Sequence, residues 1–253
     1  MEKRGVEFFK KLGVTSLAEA RKLDAQYIED KFNETFNFWG ATIDGKFLTK
    51  TLDQYVVDGD YHADAFMIGN TKDEFLVNIP GDDDDAVDAY IAKEFGDKAE
   101  EYRAIVKAMP GDYRTNATVH QMALGNQMMY ALAAEQGRKF YSYVFGPVIP
   151  GDDAGAFHSS DLWFQFETLM KCWRPFDGHH FDLSRKMCNY WTNFAKTGDP
   201  NGNDKDGTPM PEWRPYTSED PHSILFYDEI SMEEGPRSEK DRFLLDLNLE
   251  KVK

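Results

Sequence analysis

The chain has 253 residues, 41% hydrophobic and 14% aromatic, enough to bury a large core; this excludes a wholly disordered chain and a mini-domain that needs staples. The 29 Lys and Arg face 45 Asp and Glu, and the formal net charge of −16 repels phosphate backbones and anionic membranes, so neither a nucleic acid nor a membrane is expected as a partner. No 18-residue apolar run occurs, and two cysteines, Cys172 and Cys188, make no disulfide framework: free thiols or one isolated bridge both fit.

The start, Met1 to Gly5, leads into an amphipathic pattern and not into a signal-peptide core. The compartment stays open, and is cytoplasmic if Met1 is the natural start. Phe8, Phe9 and Leu12 share one helical face before Gly13. Ser16 and Glu19 have capping-box spacing and open a second helix, and Asp24 to Phe32 reads as a third. Trp39-Gly40 and Asp44-Gly45 mark loop and turn chemistry. Ala65 to Gly69 is a short apolar run ending at glycine. It predicts a buried, central strand, followed by a polar loop from Asn70 to Glu74.

Residues of about 82–137 are predicted helical. Asp82 to Asp85 place negative charge at a helix start. Tyr90, Ile91 and Phe95 form one apolar stripe, and Tyr102, Ile105, Val106 and Met109 form the next. Val119, Met122, Met129, Leu132 and Ala133 mark a longer helix closing at Gly137, its methionines expected in the core or a pocket wall. Phe140 to Phe145 is a second strand, followed by a Gly/Asp loop that contains His158. Asp182 is expected to cap a helix carrying Leu183, Met187, Tyr190, Trp191 and Phe194, which Gly198 and Pro200 stop. Ile224 to Phe226 suggests a short late strand. Strands alternating with helices indicate the α/β class.

Glu74 and His158 each lie in a loop after a predicted buried strand. Loops at the carboxyl ends of neighbouring parallel strands converge on one crevice, so the two can meet although 84 positions apart. A carboxylate on one imidazole nitrogen fixes the tautomer, and the other nitrogen can then take a proton from a nucleophile. From the spacing alone, solvated loop residues are the stronger reading. Asp177-Gly178-His179-His180 suggests a metal, but adjacent histidines rarely share one ion. Gly202 to Gly207 lacks the first acid of a calcium loop. Asn33-Glu34-Thr35 and Asn116-Ala117-Thr118 are glycosylation sequons, relevant only to a secreted chain.

The words around these residues carry more. Gly155-Ala156-Phe157-His158, followed by Asp161 and an apolar run, resembles the histidine motif of the type-B carboxylesterases, the carboxylesterase/cholinesterase family. Gly69-Asn70-Thr71-Lys72-Asp73-Glu74 is similar to its acid motif, and Tyr190 through Asn201 to its C-terminal helix and Gly-Asp-Pro-Asn exit. Met210 to Tyr216 and Asp44 to Leu48 match further segments, all in family order. The resemblance covers residues 1–253 as the C-terminal half of an α/β-hydrolase fold with inserted helices. It implies His158 as triad base, Glu74 rather than Asp73 as triad acid, and Asp161 as support behind the histidine. The family usually has glycine after the acid; Phe75 stands there, which implies a reshaped pocket floor. No G-x-S-x-G stretch is present, so the nucleophile serine and the oxyanion loop are expected from an N-terminal esterase half. The implied substrate is a small carboxylic ester, with no cofactor and no metal. The alternative is a catalytically inactive interaction module of the same family, for which neither Glu74 nor His158 has a physical use.

Overall fold

The computed structural model describes residues 2–34 and 40–252. Trp39 of the expected loop and Thr35 of the first sequon lie outside them. The chain divides into two compact units, residues 1–54 and 55–253.

The first unit holds α1 (Glu2–Leu12), α2 (Leu17–Ala20) and α3 (Ala25–Asn33). Phe8 and Leu12 are buried on one face of α1. Gly13, at φ +70°, ends that helix: its N–H reaches Lys10 O, and Val14 N–H reaches Phe9 O, a paired closure that needs a left-handed residue. Ser16 accepts from Glu19 N–H, while the Glu19 carboxylate accepts from Thr15 N–H, so the expected box is shifted by one residue. Asp24 caps α3 through Gln26 N–H and Tyr27 N–H. Asp44 Oδ1 accepts from the N–H groups of Lys46, Phe47 and Leu48, which makes the predicted Asp-Gly turn.

Next in chain order comes α4 (Leu52–Val57). The second unit is built on a sheet of β1 (Ala65–Thr71), β2 (Lys139–Phe145), β3 (Ile224–Phe226) and β4 (Ile230–Met232), ordered β1-β2-β3-β4. The first three strands are parallel, and β4 is antiparallel to β3. Between β1 and β2 the chain crosses through α5 (Asp84–Phe95), α6 (Ala99–Ala108), α7 (Tyr113–Ala117) and α8 (Gln121–Glu135). After β2 come α9 (Asp161–Gln165) and α10 (Gly178–Thr197), and α11 (Glu239–Val252) follows β4.

Two strand expectations are corrected. β2, not β1, lies inside the described sheet, and β1 forms its edge. β1 also runs past Gly69, because Asn70 and Thr71 are buried ladder residues and not loop. Gly69 is needed inside the strand. A Cβ there would stand 2.2 Å from the carbonyl oxygen of Tyr143, its register partner.

Alternation along β2 splits the core. Tyr141, Tyr143 and Phe145 pack with Met187 and Tyr190 of α10, and with Trp213, whose indole N–H donates to Ser142 O at 3.0 Å. Phe140 faces the other way, against Tyr130 and Ala133 of α8 and Tyr216. A separate cluster joins Val87, Ile91, Tyr102 and Val106 to Phe243 and Leu244 of α11. The methionine reading of α8 holds only in part: Met129 packs on the core, but Met122 is exposed. α10 begins earlier than expected. Asp177 and His180 form its capping box, and Asp182 sits inside the helix beside Arg185. No helix among the described residues is long and apolar enough to cross a membrane.

Candidate active site

β1 and β2 point their carboxyl ends the same way, and the two loops that leave them are tied together. Lys72 N–H donates to Phe145 O at 2.8 Å and extends the ladder by one step. Asp73 then grips the histidine loop twice: its N–H donates to Ala156 O at 3.1 Å, and its Oδ2 accepts from Ala156 N–H at 2.8 Å. Gly155, at φ +64°, permits this approach, since a Cβ there would meet Asp73 Oδ2 at 2.4 Å.

Glu74 follows. Its Oε1 accepts from Thr71 N–H at 2.9 Å, and its Oε2 lies 2.5 Å from His158 Nδ1. Both carboxylate oxygens are therefore used. Lys72 directs its N–H to β2, so Thr71 directs its own away from that strand, to where the carboxylate waits. Glu74 is 6% exposed and the His158 side chain 61%. A buried carboxylate accepting at Nδ1 leaves the proton on that nitrogen and the lone pair on Nε2. Among the described residues no hydrogen bond to Nε2 is present. The arrangement is a fixed acid under an open imidazole, able to accept a proton at Nε2 and hold the resulting charge.

Other side chains brace the site. His120 Nδ1 accepts from Ala123 N–H, capping α8, so its Nε2–H donates to Thr71 O at 2.9 Å and anchors the end of β1. Arg174 is buried. It donates to Pro150 O and, in a two-pronged pair, to Asp152, while its guanidinium lies over Phe157, Trp163 and Trp173. Asp152, held well below the usual carboxylate range by Arg174, thereby fastens the loop that carries His158. Neither His120 nor Arg174 stands out in the sequence, because each works through a backbone carbonyl or a distant loop. The one available signal for Arg174 is its position between Trp173 and Pro175.

Asp161 departs from its expected place behind the histidine. It accepts from Tyr143 Oη–H at 3.0 Å and from the Gln165 amide at 2.8 Å. Burial pushes its carboxyl up, against the Tyr143 hydrogen bond, with the nearby Glu74 charge adding to the rise. It ties β2 to α9 and makes no hydrogen bond to either partner of the Glu74–His158 pair.

Asp177, His179 and His180 do bring one ligand-type atom each within 4.8 Å of one another. His180, however, accepts Asp177 N–H at Nδ1 and donates from Nε2 to Val148 O, so the capping role already uses both ring nitrogens. In the predicted polar loop, Asp204 is an ion-pair partner of Arg185 and no cation ligand. Cys172 and Cys188 are free and half-buried.

The chain resembles known proteins in sequence and in fold. The model of a family described as "Carboxylesterase family" matches residues 81–244, a span that includes His158 and begins after Glu74. Bile salt-activated lipase of Rattus norvegicus is 33% identical over 131 residues, covering 49% of this chain and 20% of the lipase. Acetylcholinesterase of Bungarus fasciatus is 24% identical over 240 residues, covering 80% of this chain and 38% of that enzyme. The solved structure of a thermophylic PNB esterase superposes with a TM-score of 0.67 at 21% identity, a likeness of fold. It covers 94% of this chain and 52% of the esterase. The chain thus spans about half of that structure and less of the two sequence relatives.

Proposed function

We propose, from the premise that this chain belongs to the carboxylesterase family, that it supplies the base and the acid of a Ser-His-Glu site for carboxylic ester hydrolysis. His158 is the base and Glu74 the acid that orients it. Residues 1–253 then form the C-terminal part of a carboxylesterase domain. The observation that carries this reading is the 2.5 Å contact between Glu74 Oε2 and His158 Nδ1, which leaves Nε2 at an open surface.

In this reading Nε2 takes the hydroxyl proton of a serine as its oxygen bonds to the ester carbonyl carbon. The proton passes to the departing alcohol, and an acyl-serine is left. A water then repeats the exchange: it gives its proton to Nε2, the acid is released, and the proton returns to serine. Glu74 stabilises the imidazolium in both halves. The 253 residues hold no G-x-S-x-G stretch, so the serine and the oxyanion donors come from chain outside them, an N-terminal esterase half. A small-molecule ester is the substrate class. An inactive interaction module is the weaker reading, because a carboxylate as buried as Glu74 costs free energy that only a charged or hydrogen-bonding partner offsets, and such a module has no use for the pair.

The test joins this chain to a family N-terminal half that carries the elbow serine and follows p-nitrophenyl ester hydrolysis. The chain alone gives no turnover, the joined protein does, and His158→Ala in the joined protein abolishes it. Turnover that survives His158→Ala removes the base assignment.

A further inference from the structure

We propose that Phe75 is a positioning residue for His158, its ring holding the imidazole in the orientation that keeps Nδ1 on Glu74; this deepens the reading of His158 as base and rests on it. The first observation is backbone geometry. Phe75 has φ +46°, a left-handed conformation that bulky side chains rarely adopt. The second is exposure: the residue is 53% exposed, so core burial does not account for a phenylalanine held there. The third is its neighbour. The Phe75 ring centroid stands 4.6 Å from that of His158, with the planes tilted by 59°.

These facts fit together through the loop. In extended backbone, successive side chains point to opposite sides. The left-handed turn at residue 75 lets two successive side chains, Glu74 and Phe75, meet one imidazole. Glu74 holds the ring by a single atom, Nδ1, and the His158 side chain is 61% exposed with Phe75 beside it. One hydrogen bond does not prevent a half-turn of the ring about its outer torsion. A phenyl ring 4.6 Å away opposes it on the side that it occupies, because the turning ring would sweep into it. Strain kept at an exposed position, with its side chain against a proton-transfer group, is the pattern of conformational cost retained for a site.

The experiment uses the full chain with ¹⁵N-labelled histidine, in the parent and in Phe75→Gly, Phe75→Asn and Phe75→Tyr. Glycine and asparagine tolerate the left-handed backbone, so neither variant is expected to lower the melting temperature. In the parent, the His158 nitrogens report one tautomer, protonated at Nδ1, and the ring protons carry the shift of a neighbouring aromatic. In the glycine and asparagine variants the ring leaves Glu74 part of the time, the second tautomer is populated and the two nitrogen shifts move toward each other, and the aromatic-induced proton shift is lost. Tyrosine restores the parent pattern. Nitrogen and proton shifts that stay at parent values in the glycine and asparagine variants overturn the proposal. In the joined esterase, Phe75→Gly lowers kcat on the order of tenfold, with KM changed less, within the roughly hundredfold that a 1 Å misplacement costs. An unchanged kcat beside altered nitrogen shifts also overturns it. Failure of the base assignment is read separately, as turnover that survives His158→Ala.

Discussion

Glu74→Gln gives the sharpest probe of the relay, because the substitution keeps shape and removes charge. The native carboxylate meets two donors, Thr71 N–H at 2.9 Å and His158 Nδ1 at 2.5 Å. A glutamine amide offers one oxygen and one NH₂ in the same places. The backbone N–H cannot be reversed, so the amide oxygen goes to Thr71 and the NH₂ faces the imidazole. Nδ1 must then accept, and the ring proton moves to Nε2. In the ground state this replaces a charge-assisted hydrogen bond worth about 1.5–3 kcal/mol by a neutral one worth about 1 kcal/mol, a modest loss of stability. The kinetic consequence is larger. An imidazole protonated at Nε2 cannot take the serine proton, and a wrong tautomer of this kind costs about 10⁴-fold in kcat, roughly 5 kcal/mol of transition-state stabilisation. ¹⁵N spectra of the chain alone at neutral pH read the tautomer, and ester hydrolysis by the joined protein reads kcat. A variant whose His158 stays protonated at Nδ1, or whose kcat falls only a few-fold, would refute the reasoning.

Two further predictions concern the frame. Asp204, its side chain 4% exposed, accepts two prongs from Arg185 and one bond from Asn189, and Arg185 holds its carboxyl down to about 2 from 3.8. A depressed carboxyl contributes stability above its unfolded value and loses it as pH falls through the folded one, so Asp204→Asn costs about 2 kcal/mol at pH 7, and the gap narrows between about pH 4 and pH 2. Urea unfolding at the two ends of that window checks this; an equal gap at both would remove the linkage. Gly69→Ala forces a methyl to 2.2 Å from the Tyr143 carbonyl oxygen and costs about 3 kcal/mol or more. Gly125→Ala, in the middle of α8 with nothing within 4 Å, gains up to about 1 kcal/mol. Similar melting temperatures for the two alanine variants would show that the close β1–β2 approach at Gly69 is not what the glycine serves.

Pattern alone located Ile224–Phe226 and all but the first residue of β2, the latter because an aromatic run between Gly137 and Gly146-Pro147 has few other uses. It stopped β1 two residues early. Asn70 and Thr71 look like loop, yet they stand in register with Val144 and Phe145 of β2, and such pairing depends on residues far along the chain. The start of α10 was hidden for a local reason: His180 takes the place of glutamate in its capping box, a substitution the usual pattern does not include. α11 was illegible because leucines at 244, 245, 247 and 249 blur the single apolar stripe that periodicity detects. For the site, strand ends brought Glu74 and His158 to one crevice, but the preference for Glu74 over Asp73 came from family resemblance. The geometry separates the two: Asp73 Oδ2 is spent on Ala156 N–H, whereas Glu74 Oε2 lies 2.5 Å from His158 Nδ1.

The two halves of the proposed relay differ in how they are held, and the difference bears on how such a site would work. Everything beneath Glu74 is fastened within this chain: the β1–β2 ladder, Asp73 on Ala156, His120 on Thr71, and Arg174 on Asp152 and Pro150. The Glu74 carboxylate is thus held in place and buried, which is where a fixed charge acts most strongly on a neighbouring imidazole. His158, by contrast, keeps most of its ring open to solvent. On the proposed reading, a base that meets a serine and an ester contributed from elsewhere needs that open side, while its own orientation must already be settled, since any freedom left in the ring is lost again at each turnover. Rigidity below the imidazole and access above it are therefore one requirement, and in this chain they meet in the turn at residues 73–75.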